Sequence, residues 1–191
     1  MVSDAALVLI DIQDGFGSAI WGARNNPRFE TNVSSLLDAW RRAAMPVFHV
    51  RHLSVIAGSP LEEKSPGSRI MAIVAPRDGE PLVTKHVNSA FIGTDLEARL
   101  RQRHIHELVV AGLTTDHCVS TTIRMAANFG FVVHCAGDAT ATFDRIGPNG
   151  KRYRAQDVHD VSLASLHAEF ATVTNTIDIL GMISQQAGER I

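Results

Sequence analysis

The chain has 191 residues, 45% hydrophobic and 20% charged, and its 18 Lys and Arg against 20 Asp and Glu give a net charge of −2. That length suits one domain, residues 1–191, with a core of its own. The near-neutral balance, with no block of like charge, argues against a nucleic-acid or membrane-surface partner, since either needs a basic face.

The longest stretch free of Asp, Glu, Lys and Arg is the thirteen residues from Met125 to Gly137, short of the roughly twenty that a bilayer-spanning helix needs. The start, Met1-Val2-Ser3-Asp4, shows no basic segment leading into a long apolar one, so no leader is expected. Two cysteines, Cys118 and Cys135, make no disulfide scaffold, and the expected location is the cytoplasm.

Short aliphatic runs alternate with amphipathic stretches, the pattern of repeated βα units. Ala5 to Ile10 is nearly all apolar, as in a strand buried on both faces of a parallel sheet. A helix is predicted from Glu30 to Ala44, with Val33, Leu36, Leu37 and Trp40 on one face. Val47 to His52 is a second strand after Pro46, and Leu53 to Pro81, punctuated by Pro60, Pro66, Pro76, Gly58, Gly67 and Gly79, reads as a long irregular excursion of functional use.

Leu82 to Lys85 is a third strand, and Asp95 to Arg103 a helix with Thr94 as its N-cap. Glu107 to Gly112 is a strand, and Cys118 to Phe129 a helix closed by Gly130. Phe131 to Ala136 is the next strand. Ala155 to Leu166 is helical, Ala171 to Thr174 the last strand, and Ile177 to Gln186 the closing helix. The sum is an α/β architecture of about six strands with helices between them.

In open parallel sheets, ligands bind beyond the carboxyl ends of the strands. Asp11 stands at the end of the first strand, Lys85 at the end of the third, and Cys118 after the fourth. Taken singly, each has an ordinary explanation: a turn cap, a solvated lysine, an inert small core residue. Together they could make a nucleophile, a proton acceptor and a cation. A cysteine in the first turn of a helix is expected to have its thiolate stabilised by the helix dipole, and a nearby lysine would add to this.

Asp11 in LVLIDIQDGF, Lys85 in VTKHVNSAFIGTDLEARL and Cys118 in LVVAGLTTDHCVSTTIRMAANFGF resemble the isochorismatase-like cysteine hydrolases over most of the chain, about Ala6 to Asp178. The resemblance implies a three-layer sandwich around a six-stranded, mainly parallel, doubly wound sheet, assembled as a homodimer or homotetramer. It implies a catalytic triad of Asp11, Lys85 and Cys118, and a cis peptide at Leu113–Thr114. That bond would aim the Thr114 and Cys118 backbone N–H groups at a substrate oxyanion. The implied reaction is hydrolysis of a C–N bond in a small amide, carbamoyl or lactam compound through an acyl-thioester, without a cofactor. Two alternatives stay open. One is the vinyl-ether chemistry of isochorismate-cleaving members, which do not need the cysteine; the other is a non-catalytic binding protein on the same fold.

Nicotinamidases of this family carry an Asp-x-His and a further His as metal ligands after the second strand. Here the segment reads His49-Val50-Arg51-His52-Leu53-Ser54. Residues three apart on a strand point to opposite faces, so His49 and His52 make a poor ligand pair. No metal is expected, and either histidine remains a candidate pocket wall. Candidate pocket residues are Gln13, Phe16, Trp21, His86, Asn88, Phe91, His117 and Thr142. Phe16, Trp21 and Phe91 would supply apolar walls and the others polar contacts, although turn polarity, core packing or local hydrogen bonding explains each equally well. Cys135, in the apolar run FVVHCA, reads as core. No phosphate-binding glycine motif is present.

Overall fold

The computed structural model describes residues 5–189; the Met1–Asp4 start, examined above for a leader, lies outside them. Six strands form one sheet in the order β3-β2-β1-β4-β5-β8, with every neighbouring pair parallel: β1 (Ala6–Ile10), β2 (Val47–His52), β3 (Leu82–Lys85), β4 (Glu107–Leu113), β5 (Val132–Ala141) and β8 (Thr172–Thr174). Because β1 and β4 are neighbours while β2 and β3 lie on the far side of β1, the strand order reverses at the β1/β4 crevice. That is where such sheets hold their ligands.

Alternate residues of the strands feed two cores. Leu7 and Leu9 of β1 and Val109 and Ala111 of β4 pack with α1 (Phe29–Arg42) and α5 (Thr176–Glu189). Ala6, Val8 and Ile10 with Leu108 and Val110 pack with α2 (Leu96–Gln102) and α3 (Ser120–Asn128), and Leu166 of α4 (Ala155–Leu166) joins them. The result is three layers, helix, sheet and helix, with both sheet faces buried, which is why the strand sequences read as nearly continuous apolar runs. Among the described residues no helix is long and apolar enough to cross a membrane.

Several elements differ from the sequence expectation. The helix after β4 begins at Ser120, preceded by a π-helical turn over Thr115–Val119 that contains Cys118. Strand β5 continues to Ala141 because, after a register shift, Thr140 and Ala141 pair with Gly112 and Leu113; the small and polar GDATA sequence hides this extension. An antiparallel hairpin, β6 (Arg145–Ile146) with β7 (Arg152–Tyr153), was not foreseen. Asp95 rather than Thr94 stands at the start of α2, where the Thr94 hydroxyl accepts from the Leu96 N–H. The excursion after β2 holds only single 3-10 turns at Pro66–Ser68 and Ala72–Val74, but bridges from Gln13 to Ile70 and from Ser54 to Glu62 tie it down.

Close approach of β4 to β1 fixes one glycine. Gly112 has φ of 135°, and a Cβ there would stand 2.0 Å from the Ile10 carbonyl oxygen. Backbone cannot yield as a side-chain tip can, so Gly112→Ala is expected to cost at least about 3 kcal/mol of stability or prevent folding. Urea unfolding checks this, and a loss below about 1 kcal/mol would contradict it.

Candidate active site

Asp11 follows β1 with φ of 51°, a left-handed conformation uncommon for a residue with a side chain and found preferentially at functional sites. Its carboxylate is fully buried and accepts a 2.6 Å hydrogen bond from Lys85 Nζ at Oδ2. Oδ1 is buried too and has no partner, leaving a lone pair free to receive a proton. Lys85, at the end of β3 and fully buried, also lies 3.3 Å from Cys118 Sγ. The three residues from distant parts of the chain therefore share one buried centre.

Cys118 is held by the π turn. The Thr114 carbonyl takes hydrogen bonds from the His117 and Val119 N–H groups and passes over that of Cys118. His159 of α4 anchors the same turn through Thr115 Oγ1 at 2.9 Å. The Leu113–Thr114 peptide before it is cis.

The electrostatics depart from the sequence expectation. Burial, and then the charge of Asp11, push the Cys118 thiol up to about 12, and the pull of Lys85 does not offset them. The resting thiol therefore departs from the expected stabilised thiolate: Cys118 lies in the turn ahead of α3, and burial outweighs the neighbouring cation. Burial also raises the Asp11 carboxyl, against the opposing charge and hydrogen bond of Lys85.

A cavity of about 280 Å³ opens above this centre, lined by Asp11, Cys118, Thr114, Phe16, Trp21, Asn88 and His117 among others. Asn88 Oδ1 lies 3.8 Å from Cys118 Sγ. Phe16 and Trp21 both stack on Phe143 and lie tilted against each other, ring centroids 5.3–6.1 Å apart, to form the apolar wall. Four expected pocket residues are elsewhere. Gln13 is buried behind the cavity, bonded to the His52 backbone and the Ser68 carbonyl. His86 turns outward, its ring at the Leu53 carbonyl. Phe91 packs against Phe129 and Phe131 in the α2/α3 core. Thr142 is buried and donates to Asp116.

Sequence reasoning missed Ser54, Ile56, Ser59 and Leu61, which the excursion brings to the cavity wall, and Arg145 from the β6–β7 hairpin. Arg145 pairs through Nε and Nη2 with both oxygens of Asp116 and reaches Thr114 Oγ1 at 3.4 Å. Against the cost of burial, the hydrogen bonds of Arg145 and Thr142 hold the Asp116 carboxyl below its usual range. This network braces both sides of Thr114 and the π turn. The only available signal was an acidic residue two before the cysteine, with no means of naming its partner.

His49 and His52 do diverge: His49 Nε2 pairs with Glu80 at 2.9 Å, while His52 Nδ1 faces Lys85 Nζ at 3.2 Å. Asp11, His52 and Cys118 each offer a ligand-type atom, all within 4.8 Å of one another. The Lys85 ammonium already lies within hydrogen-bonding distance of all three side chains. A metal ion there would meet like charge, so this donor set fits a fixed ammonium and not a divalent ion.

The family model described as "Isochorismatase domain" matches residues 5–178. The isochorismatase family protein YrdC of Bacillus subtilis is 43% identical over 180 residues, covering 94% of this chain and 96% of that one. Nicotinamidase 3 of Arabidopsis thaliana is 32% identical, covering 87% of this chain and 82% of that protein. An isochorismatase-family structure from Chromobacterium violaceum superposes with a TM-score of 0.92 at 43% identity, covering 96% of this chain and 95% of that one.

Proposed function

Because the chain belongs to the isochorismatase family of hydrolases, we propose that it is a cysteine-dependent hydrolase of small amide, carbamoyl or lactam compounds. One observation carries this reading: a single buried ammonium touches both a carboxylate and a thiol at the floor of a small cavity. The amide class is supported by the likeness to a protein named as a nicotinamidase. Nicotinamide itself is disfavoured, because the Asp-x-His ligand motif of that branch is missing here.

The centre holds one cation and one anion, and the anion can be either carboxylate or thiolate. Passing the Cys118 proton to Asp11 moves the negative charge from oxygen to sulfur without changing the net charge that is buried. The thiol therefore needs no depressed pKa in the resting site. Its thiolate forms as substrate arrives, with Asp11 as acceptor.

The thiolate attacks the carbonyl carbon, and the Thr114 and Cys118 N–H groups receive the oxyanion. Asp11 returns the proton to the leaving nitrogen, the C–N bond breaks, and an acyl-thioester remains on Cys118. Water then gives a proton to Asp11 and its hydroxyl to the acyl carbon. The sulfur leaves and takes the proton back, releasing a carboxylic acid.

Ammonia or amine release across a panel of small amides, carbamates, ureides and lactams tests the proposal. Turnover of at least one compound is expected, with a loss on the order of 10⁴-fold or more in Cys118→Ala. Hydrolysis that survives in Cys118→Ala would refute covalent catalysis, and a silent panel would favour a binding protein.

A further inference from the structure

The Lys85 ammonium has three N–H groups, and three acceptors surround it: Asp11 Oδ2 at 2.6 Å, His52 Nδ1 at 3.2 Å and Cys118 Sγ at 3.3 Å. Two of these belong to the triad. The third comes from β2, the strand between those that carry Lys85 and Asp11. We propose that His52 is a positioning residue for hydrolysis: as a neutral imidazole it accepts the third N–H of Lys85 and holds the ammonium still while negative charge moves between Asp11 and Cys118. The inference rests on the hydrolase reading and adds a residue outside its triad.

His52 is built in from both sides. Gln13 clasps its backbone, donating Nε2 to the His52 carbonyl at 2.9 Å and accepting the His52 N–H at 2.7 Å. Since Gln13 lies two residues beyond Asp11, the ends of β1 and β2 are fixed in one register. The ring itself turns Nδ1 toward Lys85 Nζ, which can only donate, so that nitrogen offers its lone pair. A neutral imidazole can present one ring nitrogen as acceptor while the other carries the proton.

The role follows from the charge transfer. When the thiol proton passes to Asp11, the partner of the ammonium changes from carboxylate to thiolate. An ammonium with only those two acceptors would reorient at every transfer. The His52 nitrogen accepts in both states and is uncharged in both, so the cation keeps one orientation.

His52→Asn and His52→Gln separate this role from mere filling of space. The short asparagine amide places an acceptor near the Nδ1 position, within reach of Lys85. The longer glutamine amide imitates the other ring nitrogen and leaves the ammonium one acceptor short. The probe is iodoacetamide at neutral pH, with labelling of Cys118 followed by peptide mass spectrometry. Fully buried Cys135 staying unlabelled is the sign that each variant is folded.

Alkylation of Cys118 in His52→Asn is expected within about threefold of the parent, and in His52→Gln to be slower by about tenfold or more. Equal rates in the two variants, or a faster glutamine variant, would overturn the positioning role. Lys85→Met, run in parallel, tells the two readings apart. If its Cys118 reacts as fast as the parent's while Cys135 stays protected, the ammonium does not govern the sulfur and the triad reading fails. If it is slow while the asparagine and glutamine variants match, only the His52 proposal falls.

Discussion

Asp11→Asn is expected to uncouple the reactivity of Cys118 from turnover: hydrolysis falls by about 10³-fold or more, while alkylation of the sulfur becomes faster than in the parent. After burial, the charge of Asp11 is the main influence holding the thiol up at about 12, and Lys85 pulls the other way. An uncharged amide removes the first influence and leaves the second. The sulfur then becomes the natural counterion of the ammonium, and its thiolate is populated at lower pH. The same amide cannot take the thiol proton or pass it to a leaving nitrogen, so a tetrahedral adduct reverts. Iodoacetamide kinetics from pH 6 to 10 beside ammonia release would show the split. A variant slow in both assays would show that the sulfur needs the carboxylate as its proton acceptor even in alkylation, so that removing its charge does not free the thiolate.

Lys85→Met should be the most destabilising of the site variants. Lys85 and Asp11 are both fully buried and lie 2.6 Å apart. Removing one partner of a buried pair costs roughly 3–5 kcal/mol when the other stays charged. Asp11 can escape by taking up a proton, which gives the deficit a pH dependence. Its carboxyl is raised above the ordinary 3.8 by burial even with Lys85 opposing, and without Lys85 it rises further.

A carboxyl whose folded value exceeds its unfolded one lends its full stability below the unfolded value and loses it as pH rises through the folded one. The deficit against the parent is therefore expected to be small near pH 4 and to grow toward neutrality, reaching about 3 kcal/mol. Urea unfolding at several pH values measures it. A deficit that is flat or shrinks with rising pH would show that no carboxylate had been stranded.

Sheet and triad positions were legible in the sequence because a parallel sheet buried on both faces writes its strands as apolar runs. The polar residue that interrupts each run then falls at a carboxyl edge. Asp11 and Lys85 appear in this way, and the alternation along β2 correctly sent His49 and His52 to opposite sides. Gln13 and His86 misled because proximity in sequence to a site residue says nothing of which side of the backbone a side chain takes, and Phe91 and Thr142 because a ring or a hydroxyl serves the core as readily as a pocket. Gln13 turns behind the cavity to clasp β2, and Phe91 enters the core.

Arg145 was invisible because its partner, Asp116, lies 29 residues away and only the hairpin brings them together. The excursion is illegible for a similar reason. Gly67 seats against Gly15, where a Cβ on Gly67 would come within 2.6 Å of the Gly15 Cα. A tertiary contact of that kind has no periodic signature.

The strand order carries an implication for how such a protein diversifies. Lys85 and His52 end β3 and β2, and Asp11 and the turn bearing Cys118 follow β1 and β4, four adjacent staves of one sheet. Ser54, Ile56, Ser59 and Leu61, which shape the chamber, sit instead on a segment pinned at a few points such as Ser68 and Ile70. Inheritance can thus redraft the chamber's contour by exchanging residues between those pins while the reacting atoms keep their spacing, so new substrates become accessible to descendants without the chemistry being rebuilt.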